Sequence, residues 1–151
     1  KLYKSEDLST INYGEYISEL TGTLFLNYMI DPHKIELKLD IGNFLLDTDT
    51  AVHCGLIINE IVSNTIKHAF PEDRKGVLNI YFHEDTQNNY RLIISDTGIG
   101  LKKDFNITNQ DTLGMQLIAT LVEQMNGELK ITSNNGASFD ISFTLNNKKQ
   151  I

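Results

Sequence analysis

The chain contains a single cysteine and no apolar run near the roughly 20 residues that a membrane-spanning helix requires. Cys54 has no partner in the chain, which excludes an internal disulfide and a cysteine-based zinc site. We expect it to pack as a small apolar residue. A basic segment followed by an apolar stretch, the mark of a secretory signal, is also missing. These absences favour a reducing, cytoplasmic location.

No repeat, low-complexity block or flexible linker divides the 151 residues, and 40% hydrophobic with 22% charged content is typical of one globular domain. The formal net charge of -7 opposes a general attraction to nucleic acid or to anionic lipid. We therefore expect no nucleic-acid partner and no direct membrane contact. The sequence begins at Lys1 rather than at methionine, which predicts that it is a piece of a longer protein.

Three segments show helical periodicity with start and stop signals at their ends. Two of the predicted helices cover residues 13–28 and 50–70, and the third is marked by the apolar positions Leu117, Ile118, Leu121, Val122 and Met125. Asn12 and Glu15 have the spacing of a capping box before the first helix. Asp47 or Asp49 can cap the second helix, and Gly127 is placed to end the third.

Alternating apolar and polar residues mark the strands. The predicted strands are residues 35–41, 77–83, 90–95, 129–133 and 138–145. A polar turn over residues 85–89 joins the second and third, and Asn134, Asn135 and Gly136 form the turn of the last hairpin. This order of elements predicts an α+β fold, a two-layer α/β sandwich with a mixed β-sheet and helices packed on one face.

Four polar side chains share one side of the second predicted helix. Glu60, Asn64, Lys67 and His68 are related by three- and four-residue steps. Asn64 can offer an amide oxygen to Mg²⁺, a hard ion that binds oxygen and phosphate, and Glu60 can accept a proton. Lys67 and His68 can donate to phosphate oxygens. On the helix alone a solvated outer face, with Glu60 contacting Lys67 or Asn64, stays open as an interpretation.

A second cluster follows the strand that ends at residue 95, where the sequence reads Asp96, Thr97, Gly98, Ile99, Gly100. The glycines permit left-handed backbone and let a ligand approach closely. The aspartate can accept a hydrogen bond from the amino group of adenine. Guanine lacks that amine, and a buried acceptor left unpaired costs ~1–3 kcal/mol. Taken alone, the five residues also fit an ordinary turn.

A third glycine lies at the start of the last helix, in the run Leu113, Gly114, Met115. Free N–H groups at a helix N-terminus form a natural site for an anion such as phosphate. The aperiodic residues 101–112 before it suit a mobile lid. Lys103 stands where a dinucleotide-binding motif would have its third glycine, so that motif is excluded, and a phosphate loop of the GxxxxGK[ST] type is missing.

Together these blocks resemble the nucleotide-binding domain of the GHKL superfamily, which includes gyrase-type topoisomerases, heat-shock protein 90 chaperones, histidine kinases and mismatch-repair ATPases. Residues 59–68 resemble its N box, and residues 96–100 and 113–117 its two glycine boxes. Residues 136–139 resemble its closing Gly-Thr-x-Phe element. The resemblance covers about residues 48–143, most of the chain.

Within the superfamily, the chain is most similar to the catalytic domain of sensor histidine kinases. Residues 67–71 match a subclass whose N box ends in Lys-His-Ala-Phe-Pro. Residues 2–8 are similar to the tail of that subclass's dimerisation helices. The resemblance implies an upstream segment over residues 1–12 and a catalytic ATP-binding domain over residues 13–151.

The resemblance also implies residue roles. Asn64 would bind Mg²⁺, Lys67 and His68 the phosphates of ATP, and Asp96 the adenine amine. The residues that would shape the pocket and lid are Gly98, Ile99, Gly100, Leu113, Gly114 and Met115. Ser138 would supply the hydroxyl that helps Asp96 hold adenine through water. Glu60 stands where many histidine kinases have asparagine, so it acts either as a base or as an organiser of water and metal, and Lys67 would assist catalysis.

The implied reaction is transfer of the γ-phosphoryl group of ATP to a histidine on an upstream dimerisation domain, with a response regulator receiver domain as a further partner and a homodimeric parent. None of the four histidines fits an exposed acceptor on a dimerising helix. A stand-alone serine kinase of the anti-sigma-factor type and a non-catalytic nucleotide-binding module are the alternatives, and a hydrolysing ATPase stays open because of Glu60. The resemblance leaves membrane attachment of the parent open.

Overall fold

A computed structural model of the chain describes residues 10–101 and 113–145. These residues form three helices: α1 (Tyr13–Asn27), α2 (Thr48–His68) and α3 (Leu113–Gln124). They also form seven strands: β1 (Thr10–Asn12), β2 (Ile35–Ile41), β3 (Leu45–Asp47), β4 (Gly76–Thr86), β5 (Asn89–Asp96), β6 (Glu128–Ser133) and β7 (Ala137–Thr144). No helix in this described part is long and apolar enough to cross a membrane.

Five of the strands form one mixed sheet in the order β2-β4-β5-β7-β6. The β2–β4 pair is parallel, and the other three pairs are antiparallel. The remaining strands, β1 and β3, form a separate antiparallel pair. Since β5 and β7 are neighbours, the end of β5 at Asp96 lies beside the start of β7 at Ala137.

One face of the sheet is apolar and buried, and the other is polar. The alternation along the central strands places these residues in the core: Leu78, Ile80, Phe82, Leu92, Ile94, Phe139, Ile141 and Phe143. The intervening positions carry polar side chains such as Asn79, Arg91 and Asp140, with Arg91 and Asp140 forming an ion pair. The three helices cover the apolar face, with α2 between α1 and α3. The predicted α+β two-layer sandwich is confirmed.

Local sequence explains where α2 begins. The Asp47 carboxylate accepts hydrogen bonds from the Thr50 backbone N–H at 3.2 Å and from its hydroxyl at 2.7 Å, so Asp47 is the cap and Asp49 lies in the first turn. Lys67 and His68 lie in the last turn, where positive charge favours the helix dipole. The helix spans Thr48–His68, two residues earlier at each end than predicted.

Three details differ from the sequence predictions. The β1–β3 pair was missed because three-residue strands show no period. The predicted turn over residues 85–89 is shorter, since β4 continues to Thr86 with a bulge. After α3 the left-handed residue is Asn126 (φ 55°), while Gly127 donates to the Val122 carbonyl.

The predicted lid over residues 101–112 lies outside the described residues apart from Leu101, and so does the leading segment over residues 2–8. The boundary predicted between residues 12 and 13 stays a prediction.

Candidate nucleotide site

Asp96 ends β5 as a buried carboxylate, 9% exposed. Its Oδ1 accepts hydrogen bonds from the backbone N–H groups of Gly98 at 2.8 Å and Ala137 at 3.3 Å. Its Oδ2 has a long contact, 3.5 Å, with the Thr65 hydroxyl. No basic side chain in the described part of the chain forms an ion pair with it. One carboxylate oxygen is therefore saturated by the backbone, and the other can accept a further hydrogen bond.

The glycine loop, residues 96–100, packs against the end of α2. A side chain at Gly98 would overlap the carbonyl group of Ala69, and that same carbonyl accepts a hydrogen bond from the Ile99 N–H at 2.9 Å. Gly100 has φ +83°, a conformation that favours glycine. Ile99 itself is 58% exposed. The two glycines are therefore required by close approach at one position and by backbone conformation at the other.

The four polar residues of α2 differ in exposure. Glu60 and Asn64 are half-buried, whereas Lys67 and His68 are exposed. Lys67 Nζ lies 5.9 Å from the centre of the Tyr28 ring, a cation–π contact with the residue that follows α1. Glu60 and Lys67 form no ion pair within the described residues, so this contact, offered by the solvated-face interpretation, is not made.

The start of α3 faces Glu60. A side chain built at Gly114 would overlap the Glu60 carboxylate, which shows that the carboxylate lies directly against this backbone. Leu113 is 81% exposed, while Met115 is buried in the core. The structure thus brings the second glycine box and the N box helix together, as the predicted pocket requires.

Ser138 is not brought to Asp96. It pairs with Ser95 in the sheet, and the alternating burial of β7 puts its side chain on the polar face, opposite to Asp96. The residue beside Asp96 is Ala137, which provides a backbone N–H and no hydroxyl. The hydroxyl that contacts Asp96 belongs to Thr65, one residue after Asn64 on α2.

The sequence predictions missed Thr65 and Arg74. Thr65 is buried in the apolar side of α2, and a lone hydroxyl in such a stripe was the available signal. Arg74 lies in the connection between α2 and β4 and donates to the carbonyls of Thr97 and Gly98. No sequence pattern indicates that contact, because it depends on how two distant segments pack.

Among the described residues, no group of three or more histidine, cysteine, aspartate or glutamate side chains could hold a metal ion. Two shallow cavities lie elsewhere, around Arg91, Glu128 and Ser142. They border the polar face and do not include the glycine loop.

Known proteins are similar to this chain in sequence and in fold. Residues 49–149 match the family described as histidine kinase-, DNA gyrase B-, and HSP90-like ATPase. The chain is 23% identical over 142 residues to blue-light-activated histidine kinase 2 of Erythrobacter litoralis, covering 93% of this chain and 40% of that protein. It is 34% identical over 100 residues to the sensor histidine kinase PdtaS of Mycobacterium tuberculosis, covering 65% of this chain and 19% of that protein. It therefore spans less than half the length of these relatives.

Solved structures of histidine kinase domains have a similar fold. The histidine kinase domain of the Erythrobacter litoralis EL346 blue-light activated kinase matches with a TM-score of 0.84 at 23% identity, over 93% of this chain and 64% of that chain. The catalytic domain of histidine kinase ThkA matches with a TM-score of 0.71 at 17% identity, over 89% and 93%. Since the family match covers more than half of the 151 residues, this chain belongs to the histidine kinase-, DNA gyrase B-, and HSP90-like ATPase family and has the fold of histidine kinase catalytic domains.

Proposed function

We propose that the chain is the ATP-binding catalytic domain of a two-component sensor histidine kinase, which transfers the γ-phosphoryl group of ATP to a histidine on an upstream dimerisation domain. The observation that carries the proposal is Asp96. One of its oxygens is held by backbone N–H groups, and the other, whose contact with the Thr65 hydroxyl is long, would accept the hydrogen bond from the adenine amine. One of the relatives is named a blue-light-activated histidine kinase and the other a sensor histidine kinase, and these names support the same activity.

The donors on α2 fit Mg²⁺. Asn64 is half-buried and offers a neutral amide oxygen, and Glu60 lies one turn earlier. Because Mg²⁺ keeps several waters and uses phosphate oxygens, it needs few protein ligands, which agrees with the lack of a larger ligand cluster in the described residues. When bound, the ion would neutralise charge on the phosphates. Asn64 would hold it, and exposed Lys67 and His68 would donate to the phosphate oxygens.

In the proposed step the unprotonated nitrogen of the acceptor imidazole attacks the γ-phosphorus. The N–P bond forms as the P–O bond to ADP breaks, and ADP leaves with the electron pair. The contribution of this chain is mainly positioning and charge neutralisation. Glu60, against the start of α3, either accepts a proton or organises water and the cation.

His68 is assigned to the phosphates, and the other three histidines of the chain do not lie as a phosphoacceptor would. His53 lies 2.6 Å from the Asp49 carbonyl and 3.0 Å from the Gln124 side chain. His83 lies 2.7 Å from Asp40. His33 follows α1 in a connection rather than on a helix. We therefore propose that the acceptor histidine is on a separate dimerisation domain, in a homodimeric cytoplasmic parent that passes the phosphoryl group to a response regulator receiver domain.

Nucleotide titration and phosphotransfer test the proposal. Isothermal titration with Mg²⁺ and a non-hydrolysable ATP analogue should give binding that Asp96→Asn weakens by at least about tenfold, because an amide NH₂ faces the adenine amine. Labelled ATP should label a supplied dimerisation domain in the presence of the chain. Asp140→Asn, on the polar face, is the matched control and should bind normally. Unchanged affinity in Asp96→Asn would reject the assigned site, and binding without any transfer would favour a non-catalytic module.

A further inference from the structure

The connection between α2 and β4 directs an arginine at the glycine loop. One terminal nitrogen of Arg74, Nη2, donates to the backbone carbonyls of Thr97 and Gly98, each at 3.1 Å. The Arg74 backbone N–H donates to the Pro71 carbonyl at 3.0 Å, which closes a turn over residues 71–74. Arg74 forms no ion pair in the part of the chain that the structure describes. The hydrogen bonds of its guanidinium group therefore go to the carbonyls of Thr97 and Gly98.

Those carbonyls belong to the segment that orients Asp96. The N–H of Gly98 donates to Asp96 Oδ1 at 2.8 Å, so Arg74 holds the carbonyl of the same residue whose N–H holds the carboxylate. The Thr97 N–H donates to the Val77 carbonyl at 3.1 Å, and the Thr97 hydroxyl accepts from the Val77 N–H at 2.9 Å. Within the described residues, hydrogen bonds thus attach the loop to β4 through Val77, to the C-cap of α2 through Ala69, and to the following connection through Arg74.

We propose that Arg74 is a positioning residue for adenine recognition, which acts through the glycine loop to fix the Asp96 carboxylate and does not touch the nucleotide. This inference rests on the proposed function, because it assigns Asp96 to the adenine amine. Hydrogen bonds from a charged donor are stronger than neutral ones, and their loss frees the loop on its exposed side. A recognition group that loses its fixed orientation binds its partner more weakly.

The effect of Arg74 on adenine recognition should be measured by changing the base of the nucleotide. Hypoxanthine carries a carbonyl oxygen at the position of the adenine amine, so inosine diphosphate places an acceptor against the Asp96 acceptor. ADP and inosine diphosphate share every phosphate contact. The ratio of their dissociation constants therefore reports the orientation of the carboxylate, whereas a general loss of stability would change both constants alike.

The experiment titrates ADP and inosine diphosphate, with Mg²⁺, into the 151-residue chain and into Arg74→Met, which keeps an apolar side chain and removes the donors. We expect Arg74→Met to weaken ADP binding about tenfold and inosine diphosphate binding less than about twofold. Arg74→Lys, whose ammonium has three donors, should restore most of the preference for ADP. Arg91→Met is the matched control, because Arg91 pairs with Asp140 on the polar face, and it should leave both constants unchanged.

Equal weakening of both nucleotides, or no change in Arg74→Met, would overturn the positioning role while leaving the proposed function intact. Failure of the unaltered chain to bind ADP would overturn both. Thermal melts monitored by circular dichroism accompany each titration. If Arg74→Met is unfolded at the assay temperature, Arg74→Gln, which keeps only a neutral amide donor on a shorter side chain, is compared with Arg74→Lys, and a reduced base preference is expected only in the glutamine variant.

Discussion

The first half of α2, residues 48–58, and the second half, residues 59–68, have different surroundings, although they belong to one continuous helix. In the first half, the buried Tyr13 hydroxyl donates to the Ala51 carbonyl at 2.9 Å, the ring of Tyr16 lies against Gly55, and His53 contacts Gln124 of α3. The second half instead presents polar side chains that no neighbouring helix covers completely. The first half is fixed by packing on both sides, and the second half is left accessible.

This difference explains how a helix can carry chemistry without losing its position. Polar groups such as Asn64 contribute little burial, so the second half cannot hold itself against the sheet by that face. The apolar side of the same helix and the packed first half supply the missing stabilisation. Mutations of buried residues in the first half should therefore change stability, and mutations on the polar side of the second half should change ligand binding.

The largest expected effect is on stability. Ile57 is fully buried, and Ile57→Ala should lower the free energy of unfolding by about 2–5 kcal/mol because it loses buried surface and leaves a cavity. Asn64→Ala is the paired change in the second half. It should leave unfolding nearly unchanged but remove the gain in nucleotide affinity that Mg²⁺ provides. Urea unfolding and titrations with and without Mg²⁺ measure both quantities.

The proposed difference between the two halves of α2 would be contradicted if Asn64→Ala lowered the stability and Ile57→Ala removed the Mg²⁺ dependence. A normal Mg²⁺ dependence in Asn64→Ala would contradict its role as the metal ligand. A stable Ile57→Ala variant would mean that the first half of α2 does not support the second.

Most of the fold was predictable from the sequence because its long elements have clear periods. The capping residues also helped to predict where a helix begins, since Asp47 was one of two residues expected to cap α2. The site was predictable only in part. Asp96 follows a strand and precedes two glycines, a pattern that is visible locally, whereas the contacts of Thr65 and Arg74 arise when segments distant in sequence pack together. Ser138 was assigned from the family resemblance alone, and the structure puts its side chain on the polar face, because neighbouring residues of a strand face opposite sides.

A smaller effect is expected at Thr65, where the second half of α2 meets the glycine loop. Thr65→Val keeps the shape of the side chain and removes the hydroxyl that contacts Asp96 Oδ2. We expect ADP affinity to fall about fivefold, less than a short charge-assisted hydrogen bond would give, because the contact is 3.5 Å long. Thr65→Ser keeps the donor and should bind nearly as the unaltered chain does. Equal affinities in the valine and serine variants would remove Thr65 from the site.

The smallest effect concerns Cys54, in the first half of α2. Burial raises the pKa of its thiol, and the negative charge of Asp47 adds to the shift. In the unfolded chain the thiol loses its proton near pH 8.5, while in the folded chain it stays neutral, so the unfolded state binds fewer protons above that pH. The stability that this group contributes is therefore complete below about pH 8.5 and declines as the pH rises, by about 0.8 kcal/mol at pH 9.

Urea unfolding at pH 7 and pH 9, compared between the unaltered chain and Cys54→Ala, isolates this contribution. The alanine variant should lose less stability over that interval, because it has no thiol to titrate, while the buried tyrosines titrate only at higher pH. An identical pH dependence in the two proteins would show that the thiol is accessible to water. The first half of α2 would then be packed too loosely to hold the proposed nucleotide site of the second half in position.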